Sequence, residues 1–341
     1  MSQNEITESK SAIDETGKPE NFGWARSTII NYNRNLIKTP QVSISESDRY
    51  ILISPTHLLL FEILDDGYLG YIFMSLVSFK DKKRSSQTFV TPFSLGSFSL
   101  PGDSNSGSIK LKKKKALFNF ASMDGGARII KVDIPKFSHR YGLRGEVVLS
   151  PFPGAESMLT NMPWRAEREP FLLLRRSPCF YAEGVIQSGI SEIVFSRGNS
   201  WGILDWSRGV RPHSDLRFWA AGCGQVGERQ AGLCVGYNTA DSQAGTENAF
   251  FLDGKLHKLD KVSFHMPSER LMPWRFTSND NRLEMTFVPQ QERDENHQMF
   301  FYSHKRRQLF GTFRGQVILD DGSLFAFQNI AGIAERRKSR L

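Results

Sequence analysis

The sequence predicts an all-β protein made of two tandem antiparallel β-barrels, the second a duplicate of the first. Three observations carry this. Apolar residues alternate with period two along most of the 341-residue chain, Asp/Gly turns punctuate the runs, and pieces of the first half recur in order in the second.

The alternation is plain in "RYILISPTHLLLFEIL", "GEVVLS", "ISEIVFS", "RLEMTFVP" and "GQVILDDGSLFAFQNI". Side chains in a strand point alternately to opposite faces, so such runs describe strands with one face toward a core. Turn signals separate them at Asp65-Asp66-Gly67, Asp124-Gly125-Gly126, Asp253-Gly254-Lys255 and Asp320-Asp321-Gly322. Long amphipathic helical stretches are scarce, which leaves many short antiparallel strands.

The internal repeat sets "ARIIKVDIP" on "NRLEMTFVP", with Arg128 on Arg282 and Pro135 on Pro289, an offset of 154 in both cases (282 − 128 and 289 − 135). "YGLRGEVVLS" falls on "GTFRGQVILD", "LVSF" on "KVSF", and "FNFASMDGG" on "WRFTSNDN". The expected organisation is a flexible polar tail over 1–20, a first barrel over 21–155 and a second over 156–341. The proline-rich stretch "PFPGAESMLTNMPWRAEREP" is the expected crossing.

Composition narrows the function classes. Lys and Arg outnumber Asp and Glu by 44 to 36, but the excess is spread over short clusters such as Lys112 to Lys115, Lys305 to Arg307 and Arg336 to Arg340. A solvated, aggregation-resistant edge explains the lysine run better than a nucleic-acid footprint, so nucleic acid is an unlikely partner. Three cysteines, Cys179, Cys223 and Cys234, make no disulfide framework and no metal-ligand spacing. With no signal-peptide core and no apolar run near the ~20 residues of a membrane span, the expected location is the cytoplasm.

"LDWSRGV", "FWAAGCG", "GYNTADSQAGTENAFFLDGKLHKLDKVSF", "GWARSTIINYNRNLI" and "PGAESM" together resemble the uncharacterised family called domain of unknown function 2804. The resemblance runs from about Gly23 to the C-terminus. It implies a lipocalin-like pair of barrels related in architecture to carotenoid hydratases and tocopherol cyclases. In those, apolar isoprenoid substrates meet an acid in an apolar cavity. Architecture alone is a weak warrant for chemistry.

Two carboxylates are the candidate catalytic groups. In "WGILDWSRG" a strand puts Trp201, Ile203 and Asp205 on one face, where desolvation would raise the carboxyl toward the range of a general acid. Alternatively a bend after Trp206 lets Asp205 reach Arg208 and serve as a strut. Glu247 is the second, beside Asn248 and ahead of His257 on the hairpin around Gly254. The candidate ligand-binding set is Trp201, Trp206, Arg208, Trp219, Tyr237, Asn248 and His257, an aromatic-rich group with few polar members.

Other signals carry less. "GCGQVG" has the glycine spacing of a dinucleotide loop without a βαβ unit around it. His213-Ser214-Asp215 holds the residue types of a hydrolase triad with no nucleophile elbow. Neither metal nor cofactor is expected. The leading expectation is binding of an apolar small molecule, lipid or isoprenoid-like. It comes with or without acid-catalysed hydration, isomerisation or cyclisation; a carrier and a nucleic-acid-associated basic protein are the alternatives.

Overall fold

The computed structural model describes residues 3–138, 141–164, 170–299 and 302–340. Among these, thirteen strands form a first sheet and nine form a second. The main path of the first runs from Arg84–Pro92 through Leu69–Ser78, His57–Asp65, Ile44–Ile53, Trp201–Val210, Phe171–Ser188, Tyr141–Ser150, Arg128–Ser138 and Ala116–Ser122 to Ser108–Lys113. It curls into a nearly closed barrel. Its ends approach each other: Lys113 Nζ donates to Thr91 Oγ1 at 2.6 Å, and the Phe89 and Phe118 rings meet edge-on at 5.8 Å. The interior is filled by side chains, with Phe120 packed between Tyr50 and Phe61.

The second sheet runs from Lys255–Lys258 through Ala249–Leu252, Arg229–Asn238, Ser214–Val226, Leu324–Arg340, Tyr302–Ile318, Leu283–Met299 and Trp274–Ser278 to Val262–His265. It is a half-barrel whose concave face is packed with Phe250, Phe276, Phe287, Phe313 and Trp274. The all-β reading with two barrel-like units therefore holds.

Three local expectations are corrected. Hydrogen bonding puts Trp201–Val210 in the first sheet, between Ile44–Ile53 and Phe171–Ser188, so the chain changes sheets at residues 211–213. The proline-rich stretch is not the crossing, because Met158–Pro163 pairs with both Phe171–Ser188 and Gly23–Ala25. Nor is the N-terminus a flexible tail. Ile6, Ala12 and Ile13 are buried, Ile6 N donates to Trp24 O and Asn4 N to Ala244 O; a polar average concealed three apolar anchors.

The repeat is also out of phase by one residue. Asp133 lies opposite Arg144 and Thr286 opposite Arg314, so superposing the two Arg-Gly pairs sets Arg128 on Asn281 (286 − 133 and 281 − 128 are both 153). A one-residue slip exchanges the faces of a strand. Inward Ile130 and Val132 accordingly correspond to inward Leu283 and Met285. Both arginines still anchor loops, Arg128 to Ser122 Oγ and the Ser104 carbonyl, Arg282 to the Ile318 and Lys258 carbonyls.

Candidate functional site

Strand Trp201–Val210 is buried along its whole length, on both faces. One face lines the first barrel; the other packs against the second sheet. The layer between the sheets starts apolar, with Ile51, Ile53, Leu60, Trp201, Ile203, Cys223, Phe310 and Ile333. All three cysteines are free and buried in it, and burial pushes the Cys234 thiol up to about 12, which makes it inert.

Farther along the same faces the layer becomes ionic. Glu62 accepts from Arg49 at 2.7 Å and lies 2.6 Å from Arg306; Glu335 lies 2.7 Å from Arg306 and 3.5 Å from Arg49, and also accepts from Gln308 at 2.8 Å. Burial alone would raise both carboxyls, but Arg306 first and Arg49 second hold them well below the ordinary glutamate value. Trp219 is flanked by guanidiniums, with Arg49 at 4.7 Å and Arg176 at 5.4 Å from its ring centroid.

Asp205 and Glu247 converge on Arg176. Asp205 Oδ1 contacts Arg176 Nη1, its Oδ2 lies 3.6 Å from Arg49, and Glu247 accepts from Arg176 Nη2 at 2.7 Å and from Asn238 at 2.8 Å. Burial acts to raise the Glu247 carboxyl, but Arg176 and then Arg217 outweigh it and the net shift is downward. Asp205 is thus a strut, but not to Arg208. The strand does not bend after Trp206, and residues three apart on a strand point to opposite faces. Arg208 lies inside the first barrel, stacked 4.4 Å from Trp206 and bonded to Asp48 and to the Pro101 and Ser47 carbonyls.

The remaining candidates scatter. Trp201 packs on Tyr181 at the apolar end of the layer. Tyr237 is 53% exposed and leans on Phe218. Asn248 accepts from Gly236 N and donates to the Asp260 carbonyl. His257 accepts from Asp320 N, and burial lowers its pKa. Asp205, Glu247, Trp219 and Trp201 share the inter-sheet layer, and Glu247, Tyr237 and Asn248 line one small cavity; Trp206, Arg208 and His257 lie apart from both.

Past the ionic cluster the sheets part into a cleft. Ser45, Ser47 and Ser207 line one wall, Asp215, Arg217 and Arg337 the other, and Trp164, Phe171 and Leu172 one end. The cavity volume is about 40 Å³, within about 620 Å³ of empty space that includes open solvent. Four arginines, Arg211, Arg217, Arg337 and Arg340, face two aspartates, Asp66 and Asp215. Arg337 is 3.3 Å from Asp215, and Arg211 3.6 Å from Asp66.

The family model described as Domain of unknown function (DUF2804) matches residues 3–341. The chain belongs to that family. No curated protein matches it. Among solved structures it is similar to CghA with Sch210972, at a TM-score of 0.58 and 11% identity over 92% of this chain and 94% of that one. It is also similar to kievitone hydratase from Nectria haematococca, at 0.46 and 9% over 87% and 88%. These likenesses are of fold.

Sequence reasoning missed the arginines and glutamates of the layer. A signal existed in this DUF2804 chain: Arg49 continues the face of Ile51 and Ile53, Glu62 that of Leu58 and Leu60, Glu335 that of Ile333, and Arg306 that of Phe310. A charge in phase with a buried apolar row is a buried charge.

Proposed function

We propose that the protein binds a small organic molecule in the cleft between its two sheets, not inside either barrel, and acts on it as a binder, not as a proton donor. One observation carries this: the barrel interiors are filled by aromatic side chains, whereas the inter-sheet cleft joins a polar, arginine-lined pocket to an apolar wall of Trp164 and Leu172. A cavity of about 40 Å³ suits a head group, with the ligand body extending toward solvent. That CghA was solved with Sch210972 supports small-molecule binding on a fold of this kind. Asp205 has both oxygens beside guanidiniums, and Glu247 has one on Arg176 and the other on the Asn238 amide; a carboxylate so engaged is a poor acid.

The test is equilibrium binding of the neutral fluorophore N-phenyl-1-naphthylamine, with native mass spectrometry of the purified protein for retained ligand. Leu172→Arg, which fills the apolar end of the cleft, is expected to weaken probe binding at least ten-fold. Binding unaffected by Leu172→Arg would place the probe elsewhere and remove this reading.

A further inference from the structure

We infer that the cleft selects molecules bearing a carboxylate, with Arg217 as the anchor; this rests on the cleft reading above. Arg217, Arg337 and Arg306 stand side by side as direct cross-strand partners. Like charges opposed in this way repel unless neutralised. Arg306 is neutralised by Glu62 and Glu335, and Arg337 by Asp215. Arg217 has no carboxylate within ion-pair distance among the described residues, and its Nε and Nη2 are buried without any hydrogen-bond partner. Unsatisfied buried donors on a guanidinium are costly, and native proteins rarely keep them without a ligand, water or ion to answer them.

The two orphaned nitrogens belong to one edge of the guanidinium, the fork that matches the two oxygens of a planar anion. Arg217 lines the cleft, whose cavity volume of about 40 Å³ is enough for a carboxylate-sized group. The apolar end beside it, Trp164 and Leu172, fits a carbon body attached to that group. The Trp164 Nε1 is a further buried donor without a partner at the same place. Together these describe a site for an apolar molecule with an acidic end, not for a neutral hydrocarbon.

The experiment compares 2-naphthoate, 2-naphthamide and 2-naphthyl phosphate by titration calorimetry on the full chain at low salt. Naphthoate is expected to bind at least ten-fold tighter than the amide. In Arg217→Met that ratio collapses toward one, with Arg217→Lys in between, since it keeps the charge and loses the fork. Arg217 also helps hold the buried Glu247 carboxylate, so a modest fall in the melting temperature of Arg217→Met is expected; if that variant fails to fold, Arg217→Lys carries the comparison. Equal affinity of acid and amide, with Leu172→Arg still abolishing both, overturns the carboxylate while leaving the cleft reading standing. Tightest binding by the phosphate overturns it in favour of a phosphate site. Absence of binding by all three, or binding indifferent to Leu172→Arg, overturns both.

Discussion

The two ends of the inter-sheet layer solve one problem in opposite ways. At the apolar end Ile51, Ile203, Phe310 and Ile333 are joined by non-directional burial, which tolerates small slips as long as volume is kept. At the ionic end Arg49, Glu62, Arg306 and Glu335 are all nearly inaccessible, and each must meet particular atoms of its neighbours. Replacing such a cluster with well-packed apolar residues is often neutral, but removing a single member strands its partners. The apolar end supplies cohesion, and the ionic end makes the relative placement of the two sheets unique. That placement also sets the width of the cleft, because Arg337 and Arg217 continue the row that Arg306 begins.

The sharpest way to break this comparison is Glu335→Ala, which leaves Arg306 and Gln308 short of a partner at the centre of the layer. A loss of about 3–5 kcal/mol is expected in urea unfolding; a loss under about 1 kcal/mol would make the ionic end dispensable. At the other end Ile203→Ala removes buried methyl groups and is expected to cost about 3 kcal/mol by the same measurement, less than the charged substitution. If the order reverses, cohesion and not registry dominates the layer.

Smaller effects resolve the struts. Asp205→Asn is expected to lower the melting temperature, with a loss of about 1–3 kcal/mol. A double-mutant cycle with Arg176→Met should show coupling of at least about 1 kcal/mol, and one with Arg208→Ala should be additive within about 0.5 kcal/mol. Coupling to Arg208 instead would mean that the strand bends in solution.

The smallest effect is a pH dependence at the ionic end. Burial first, then Arg337 and Arg306, lower the His304 pKa to about 3 in the folded protein, against about 6.5 unfolded. The unfolded chain therefore takes up a proton that the native state refuses. Stability from this group is complete above the unfolded pKa and is lost as pH falls from about 6.5 toward 3, a loss on the order of 1 to 2 kcal/mol by pH 5. Thermal unfolding at pH 7 and pH 5 checks it. His304→Gln should shrink the difference without abolishing it, because His57 and His257 shift the same way through burial; an undiminished difference would clear His304.

How legible all this was depends on the range of each interaction. Each of the period-two runs falls on a strand or on two joined by a turn, and the Asp-Gly turn at Gly254 sits where the hairpin turns. The strut role of Asp205 was legible as one of two alternatives, but its partner was misassigned because the nearest arginine in sequence lies on the wrong face of a straight strand. The lysine run was read as a solvated edge, and Lys112, Lys114 and Lys115 are exposed; the two later basic runs are divided. Lys305 and Arg336 are exposed, whereas Arg306 is buried and Arg337 largely so, because alternation divides a charged run between two faces as it does an apolar one.

The sequence by itself determined the class of the fold, the turns and the alternation of faces along its apolar runs, since these follow from backbone geometry over a few residues. Only the tertiary structure decided which strands are neighbours, and with them which charges meet. Arg49 answers Glu335 across 286 residues, and Arg176 answers Glu247 across 71. No local pattern encodes such pairings, because they arise when two sheets, each already specified by its own alternation, close on one another and bring the charges of one face onto those of the other.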